Sequence, residues 1–534
     1  LSIKSRSLLA LSLAIFLLAA CSKKNTAVER VAILPANILV SDNSAPWLKI
    51  GVPLVLQQDL MTARNLIPGV ALDESSASQA KATQILRTTV ESRQSGLRIE
   101  ATLVDAKTQK SVLVKNVDAP SVAAILPALN DLARKIDSNA YAYPTGNVDA
   151  LQSYLGAATT NNRQQRGKSL TQAIQKDATF SLAYIALLEM LGSAPPAGAA
   201  HFIDEAKAHR DKFAPYDRAK LDLAISRLSG APAQDQIKLA QEALKFAPND
   251  LDVLAVLGLN QFLEGDAKAG EESLRRAVSL NPANTALQIQ LGRGLMQSRK
   301  FKEADAIFSA AGQVPAVLPD LATCVLLEGD TTRANTIADK FFSSIQNPDL
   351  KPLLRASWLV MERQASKGVD MLLSAKFTSP NIQSVALSEV AVWQVLGHDY
   401  AAAQATVQRS STATTGQAIS FPAVAALLAD KDGSAADWQK RVAASPLPPN
   451  VKDPIIAYGL FLRGNYAEAA TQWRQTLDKS HGADLRARAM LASSLAYAGK
   501  KSDADAVKVV PFVPEFGDLY AAIPFLEMRR VLGI

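Results

Sequence analysis

Histidine is scarce in this chain of 534 residues: four are present, His201, His209, His398 and His481, and none sits in a recognised motif. That leaves little scope for metal ligation or imidazole-based catalysis. His201 and His209 fall on one predicted helix two turns apart, too far to share an ion readily. Nor is there a nucleophile–base signature. Gly167-Lys168-Ser169 has Asn162 where a phosphate loop needs its first glycine, and no apolar strand precedes it, so it reads as a helix start. Asp204-Glu205 and Glu271-Glu272 are adjacent carboxylates, which a helix points about 100° apart, and they read as solvated faces. Beyond the first twenty residues no apolar run approaches the roughly 20 residues that cross a bilayer, so the rest is expected to be soluble. Lysine and arginine form no dense block despite a net charge of +7. The basic excess therefore reads as a mixed-charge surface and is weak support for nucleic-acid binding. An enzyme is not expected, and no cofactor or metal is called for.

What is present begins at the amino end. Lys4 and Arg6 precede an apolar run from Leu8 to Leu18 and two small residues, Ala19 and Ala20. Positive start, apolar stretch of about 7–15 residues and small residues at the cut are the parts of a secretory signal, too short for a comfortable membrane anchor. Leu18-Ala19-Ala20-Cys21 resembles the lipobox of bacterial lipoproteins. That resemblance implies a diacylglyceryl group on the Cys21 thiol, cleavage before it, and usually acylation of the new amino group. Several acyl chains hold a protein on a membrane, whereas one does so only marginally. Ser22, in place of the aspartate that marks inner-membrane retention in that family, implies the outer membrane if the organism has two. The mature chain would carry 55 basic and 50 acidic residues, a net of +5. With Cys21 lipidated, Cys324 could form no internal disulfide, and its apolar setting reads as core.

The firmest internal signal is repetition. Ala247-Pro248-Asn249-Asp250 recurs as Asn281-Pro282-Ala283-Asn284. The two prolines are spaced at about 34 residues, the period of tetratricopeptide repeats. With Leu251 as first position, Leu254, Leu257, Gly258, Gly270, Leu274, Ala277 and Pro282 fall on that family's pattern, and Gln261 replaces its usual tyrosine. From Thr285 the matches are Leu291, Gly292, Leu295, Ala304, Phe308 and Ala311, with Pro315 one residue early. A preceding repeat from about Asp217 matches at Leu223, Ala224, Ala243 and Pro248. The turn-and-alanine signature returns at Gly329-Asp330 with Ala334, Gly397 to Tyr400 with Ala403, Gly464-Asn465-Tyr466 with Ala469, and Gly499-Lys500 with Ala504. Register drifts between Pro315 and Pro446, and Pro446-Leu447-Pro448-Pro449 interrupts the stacking. Pro511, Pro514 and Pro524 among aromatics read as a cap.

Between signal and repeats the period changes to that of strands. Val31 to Leu34, stopped by Pro35, reads as a buried strand. Trp47 to Leu60 reads as a helix with a stripe of Leu48, Val52, Val55, Leu56 and Leu60, which Pro53 kinks or starts. Further strands are expected at Gly69–Leu72, Thr83–Glu91, Leu97–Val104 and Ser111–Val117, the alternation of Leu97, Ile99, Ala101 and Leu103 giving one buried face. The stretch from Val31 to Met190 resembles the TolB amino-terminal-like domain that precedes tetratricopeptide repeats in some bacterial proteins. The likeness rests on Val31 to Pro35, Leu97 to Ala106, Asn147 to Leu151 with Tyr154-Leu155, and the linking repeat Ala173 to Ala178 with Ala183-Tyr184. The helix and turn expected before the third strand are shortened to Ser75–Lys81, and no kinase, cyclase or winged-helix segment is present.

The expected organisation is a lipoprotein signal peptide at 1–20, a linker at 21–30, a small α/β domain at 31–140, helical repeats at 150–510 (clearest at 217–316) and a cap at 511–534. The fold class is mainly α: a tetratricopeptide-like solenoid after a TolB amino-terminal-like α/β domain. The resemblances imply a palmitate-type lipoprotein of the outer membrane facing the periplasm, whose repeats act as a scaffold for an unknown protein or peptide partner. By that resemblance a peptide would meet Asp252, Ala255, Leu259, Arg293, Met296 and Gln297. The alternative is an envelope-polymer or small-ligand receptor that uses the α/β domain, with the repeats as spacer.

Overall fold

The computed structural model describes residues 28–40, 45–191, 199–312, 314–411, 435–444, 449–514 and 522–534. The signal, Cys21 and the Pro446–Pro448 break lie outside them. The chain divides into two compact units, one of residues 1–177 with 247–250, the other of 178–246 and 251–534.

The first unit is built on a sheet of β1 (Glu29–Ile33), β2 (Asn37–Leu39), β3 (Leu66–Val70), β4 (Gln84–Arg93), β5 (Gly96–Asp105) and β6 (Ser111–Ala119), in the order β3-β1-β4-β5-β6 with β2 also on β4. β1 pairs parallel to β3 and β4, and β4, β5 and β6 form an antiparallel meander. The third strand begins earlier than its expected place, at Leu66 rather than Gly69, because Pro68 is inside it. A proline lacks the ladder N–H and is tolerated where a strand lies at an edge, as β3 does.

Helix α1 (Leu48–Asp59) buries Leu48, Val52, Val55 and Leu56, with Leu60 just beyond its end, confirming the apolar stripe. Pro53 lies within this helix and cannot donate to the carbonyl of Lys49; the N–H of Ala36 does so instead, at 3.0 Å, which fixes the link between β1 and β2. Helix α2 (Glu74–Gln79) sits by Ala32 and Ala71 in a small apolar cluster through Ala77. α3 (Ile125–Ile136) packs on β5, β6 and α1. The hairpin α4 (Val148–Ala158) and α5 (Arg163–Lys176) completes the unit. Gly167-Lys168-Ser169 lies inside α5 rather than at its start: Asn162 is the N-cap, its side chain accepting from the N–H of Gln165 at 2.9 Å.

The second unit is a run of helical hairpins. It contains α6 (Ser181–Leu191), α7 (Ala199–His209), α8 (Pro215–Leu228), α9 (Ala233–Phe246), α10 (Leu251–Leu263), α11 (Ala267–Leu280), α12 (Thr285–Gln297), α13 (Phe301–Ala310), α14 (Leu318–Glu328) and α15 (Thr331–Ser344). There follow α16 (Leu350–Met361), α17 (Ala365–Ser374), α18 (Pro380–Leu396), α19 (Tyr400–Ser411), α20 (Ala435–Ala444), α21 (Pro449–Leu462), α22 (Tyr466–Lys479), α23 (Leu485–Tyr497), α24 (Lys501–Asp505) and α25 (Ala522–Leu532). Each turn-following alanine, Ala334, Ala403, Ala469 and Ala504, is buried. One hairpin, α16–α17, escaped the sequence signature because its turn has no glycine: Arg363 takes the left-handed conformation, φ 66°, and Gly368 replaces the alanine. The mainly α, tetratricopeptide-like fold after a small mixed sheet is as expected. One apolar cluster joins described residues from Leu254 to Met528.

The seam of α10 and α11 shows what the repeat pattern is for. A Cβ on Gly258 would stand 2.7 Å from Leu274 Cγ and 3.0 Å from the Gly270 carbonyl oxygen, and one on Gly270 would stand 2.9 Å from that of Gly258. The two backbones touch, so a branched side chain has nowhere to go. Gly258→Val should destabilise the protein by about 1–3 kcal/mol, the usual cost of overpacking, read as a fall in the urea midpoint. An unchanged midpoint would mean that the helices are not in this close register.

Candidate protein-interaction face

The six first-helix positions separate once their burial is known. Asp252 and Arg293 are exposed, Leu259 and Gln297 half-buried, and Ala255 and Met296 closed inside the apolar cluster. Leu259 and Arg293 occupy the same place in successive repeats. On this side Asp252, Leu259, Arg293 and Gln297 reach the surface, while Ala255 and Met296 hold the helices beneath.

Arg293 makes a contact that the sequence did not reveal. Its Nε and Nη2 donate to both carboxylate oxygens of Asp320, on the next first helix, at 2.5 and 3.0 Å. The Asp320 side chain is only 2% exposed. Burial pushes its carboxyl above the usual range, and the Arg293 hydrogen bonds oppose that shift without cancelling it. Comparable buried carboxylates recur between other first helices: Ser181 Oγ donates to Asp217 at 2.7 Å, Ser357 Oγ to Glu389 at 3.0 Å, and Ser493 Oγ to Glu527, which Arg530 also binds. A polar residue on an apolar helix reads as a solvated position until its neighbour from another repeat is known, so no local signal could have found these ties.

The second helices carry charge pairs of their own. Glu271 accepts from Arg275 at 2.7 Å and from Lys300 at 2.8 Å, and Arg275 also reaches Glu303 at 2.6 Å. Burial would raise the Glu271 carboxyl, but the hydrogen bonds from Lys300 and Arg275 hold it below its ordinary value. Glu271 is thus part of a network rather than a solvated face. Arg333 continues the series with two bonds to Asp305, at 2.6 and 2.8 Å. Asp349, before α16, accepts from the N–H of Thr378 and of Ser379, at the start of α18, at 3.0 and 2.7 Å.

Other expected positions are chemically quiet. Cys324 is fully buried, its Sγ 3.4 Å from the Phe301 carbonyl, and burial pushes its thiol up to about 12. His201 lies by Glu205 at 3.8 Å on an exposed helix face. Among the described residues no group of three or more histidine, cysteine or carboxylate side chains could hold a metal ion. In the first unit the pairing of β1 with β4 continues past Ile33, where the N–H of Leu34 donates to the Leu86 carbonyl, and β2 then runs along β4.

No family model and no curated protein matches this chain. Among solved structures it is similar to the TPR domain of P58(IPK), at 16% identity over 60% of this chain and 99% of that one, TM-score 0.17. It is also similar to Naa15/Naa10 bound to HypK-THB, at 14% identity over 67% of this chain and 61% of that one, TM-score 0.24. Scores this low carry no argument of their own. The class, stacked tetratricopeptide-like hairpins, rests on the chain's own helices and their period.

Arg293→Ala should leave Asp320 buried without its counter-charge. Because Arg293 is half exposed, the cost should be about 1–3 kcal/mol, below that of a fully buried pair. A carboxyl raised by folding withdraws stability as pH rises from its unfolded value of about 3.9 through its folded one, and the variant extends that interval upward. Thermal unfolding should therefore show the variant's deficit largest at neutral pH and smaller near pH 5. A pH-independent deficit would contradict this assignment.

Proposed function

We propose that this protein is a lipid-anchored scaffold of the cell envelope, held through Cys21 on the outer membrane and facing the periplasm, whose helical repeats bind another protein. The observation that carries the interaction reading is the first-helix register, which leaves Asp252, Leu259, Arg293 and Gln297 accessible in consecutive repeats above a closed apolar seam. Stacked hairpins bury their large residues against one another and present a repeated row of side chains, a surface suited to an extended partner. The anchor is supported by Leu18 to Cys21 and the basic, apolar and small segments before it. The TolB-like identity of the first unit is supported by its β-α-β start, its three-stranded meander and the hairpin α4–α5 that follows. No step of catalysis enters this reading.

A photo-cross-linking residue at Leu259 tests it in cells, with one at Glu272, exposed on the second helix, as the control. A specific partner should be captured from position 259 and not from 272, and Asp252→Lys with Gln297→Glu should reduce its capture about tenfold, an affinity loss of ~1.4 kcal/mol. Equal capture from both positions would sink the interaction reading. Cys21→Ala should move the protein from the membrane to the soluble fraction; if it stays membrane-bound, the anchor reading fails separately.

A further inference from the structure

Strand β1 begins at Glu29, eight residues after Cys21, and the stretch between holds Lys23 and Lys24 but no acid. Fully extended, at about 3.5 Å per residue, that stretch reaches no more than ~28 Å. The end of the sheet from which it leaves is therefore the part of the first unit held nearest the proposed anchor. Strand register defines that end. Glu29 stands opposite Leu66, the first residue of β3, and its N–H donates to the Asn65 carbonyl at 2.8 Å. The N–H of Thr83, just before β4, donates to the Arg30 carbonyl at 2.9 Å. β5 finishes at the same level, Asp105 pairing with Gln84, and the N–H of Ala106 donates to the Thr83 carbonyl at 2.9 Å.

The segments so joined carry an excess of cations. Arg64, Lys81, Lys107 and Lys110 are exposed, and half-buried Arg30 donates through Nε to the Lys81 carbonyl at 2.7 Å. The Arg64 carbonyl accepts from Asn249 Nδ2 at 2.7 Å, a backbone contact that leaves the guanidinium exposed. Three acids accompany these five cations, and two of them are turned into their own loops. Asp105 accepts from the N–H of Lys107 and of Thr108 and from Thr108 Oγ1, at 3.1, 2.7 and 2.9 Å. Asp137 accepts from the N–H and Nδ2 of Asn139 at 2.8 and 2.9 Å, in a loop that Thr62 Oγ1 ties to this end through the Asn139 carbonyl at 2.6 Å. The third acid is Glu29. At the other end of the sheet no such excess exists, because Asp73, Glu91 and Asp118 offset Lys49, Arg93 and Arg98.

We propose that this basic end meets the phosphates of an anionic phospholipid surface, so that the acyl chains hold the protein and the cations set which way the first unit points. The proposal rests on the anchor reading, which supplies a bilayer as the neighbouring surface. β1 lies between β3 and β4, so the chain toward Cys21 leaves from among these cations. Lysine and arginine within a Debye length of an anionic membrane are drawn to it, and salt screens the attraction. A few exposed cations hold a protein only weakly by themselves, whereas a tether keeps them at the surface. Their contribution is orientation.

Vesicle sedimentation tests the surface without the anchor. The mature chain from residue 21 with Cys21→Ser, which carries no acyl group, should sediment with phosphatidylglycerol vesicles at low ionic strength, leave them in high salt, and ignore phosphatidylcholine vesicles. Lys107→Glu with Lys110→Glu should weaken that binding about tenfold. Lys49→Glu with Arg93→Glu makes the same change of net charge at the opposite end and should leave binding as it was; all four side chains are exposed, and unchanged circular dichroism checks that each variant is folded. Absence of binding to phosphatidylglycerol, equal binding to phosphatidylcholine, or equal losses in the two pairs overturns the proposal. Acylation does not enter this assay, so a failure of the anchor reading shows separately, in the fractionation of the Cys21→Ala protein.

Discussion

Close packing of the two helices within a hairpin, tightest where the backbones of α10 and α11 touch, is the constraint on which the second unit depends. Where Gly258 and Gly270 meet, each lacks the one atom that would hold the helices apart, and Leu274 fills the space beside them. Large apolar residues can then interlock between neighbouring hairpins, and the result is a single cluster that joins described residues from Leu254 to Met528. No hairpin could bury its own apolar face alone; each is stable because the next covers it. The exposed side of the first helices is a consequence of this packing, since only residues turned away from the seam remain accessible.

Apolar seams are poor at fixing register, because a shifted pair of oily helices is nearly as well packed as the correct one. The buried carboxylates supply that discrimination. Asp217, Asp320, Glu389 and Glu527 each receive a hydrogen bond from the preceding first helix, through Ser181, Arg293, Ser357 and Ser493. A slip of one residue would leave a charge in the core without that donor, a penalty far larger than the net gain from the correct bond. Their contribution is specificity of stacking more than stability.

Much of this architecture was legible from local pattern. The regular spacing of Pro248 and Pro282, the glycine-containing turns and the buried alanines placed the hairpins, and the alternation in Leu97 to Leu103 placed one face of the sheet. What was missed has physical causes. The strand through Pro68 was shifted because a proline reads as a stop unless the strand is known to lie at an edge. Hairpin α16–α17 was overlooked because Arg363 adopts a conformation usually left to glycine. Met296 and Ala255 seemed accessible by family position, but helical position alone does not reveal how deeply a neighbour covers a side chain. The joining of α25 to α16 reaches across several hairpins, and no periodicity within a window of the sequence could reveal it.

A stack of hairpins with one shared seam has a distinctive dynamic signature, and residue-resolved hydrogen exchange on the native protein reads it directly. The account predicts protected helices separated by rapidly exchanging turns at 264–266, 298–300, 329–330, 362–364, 397–399 and 463–465, with the amides of α10 to α16 among the slowest. Uniform protection that ignores those turns, or rapid exchange throughout 251–310, would contradict it.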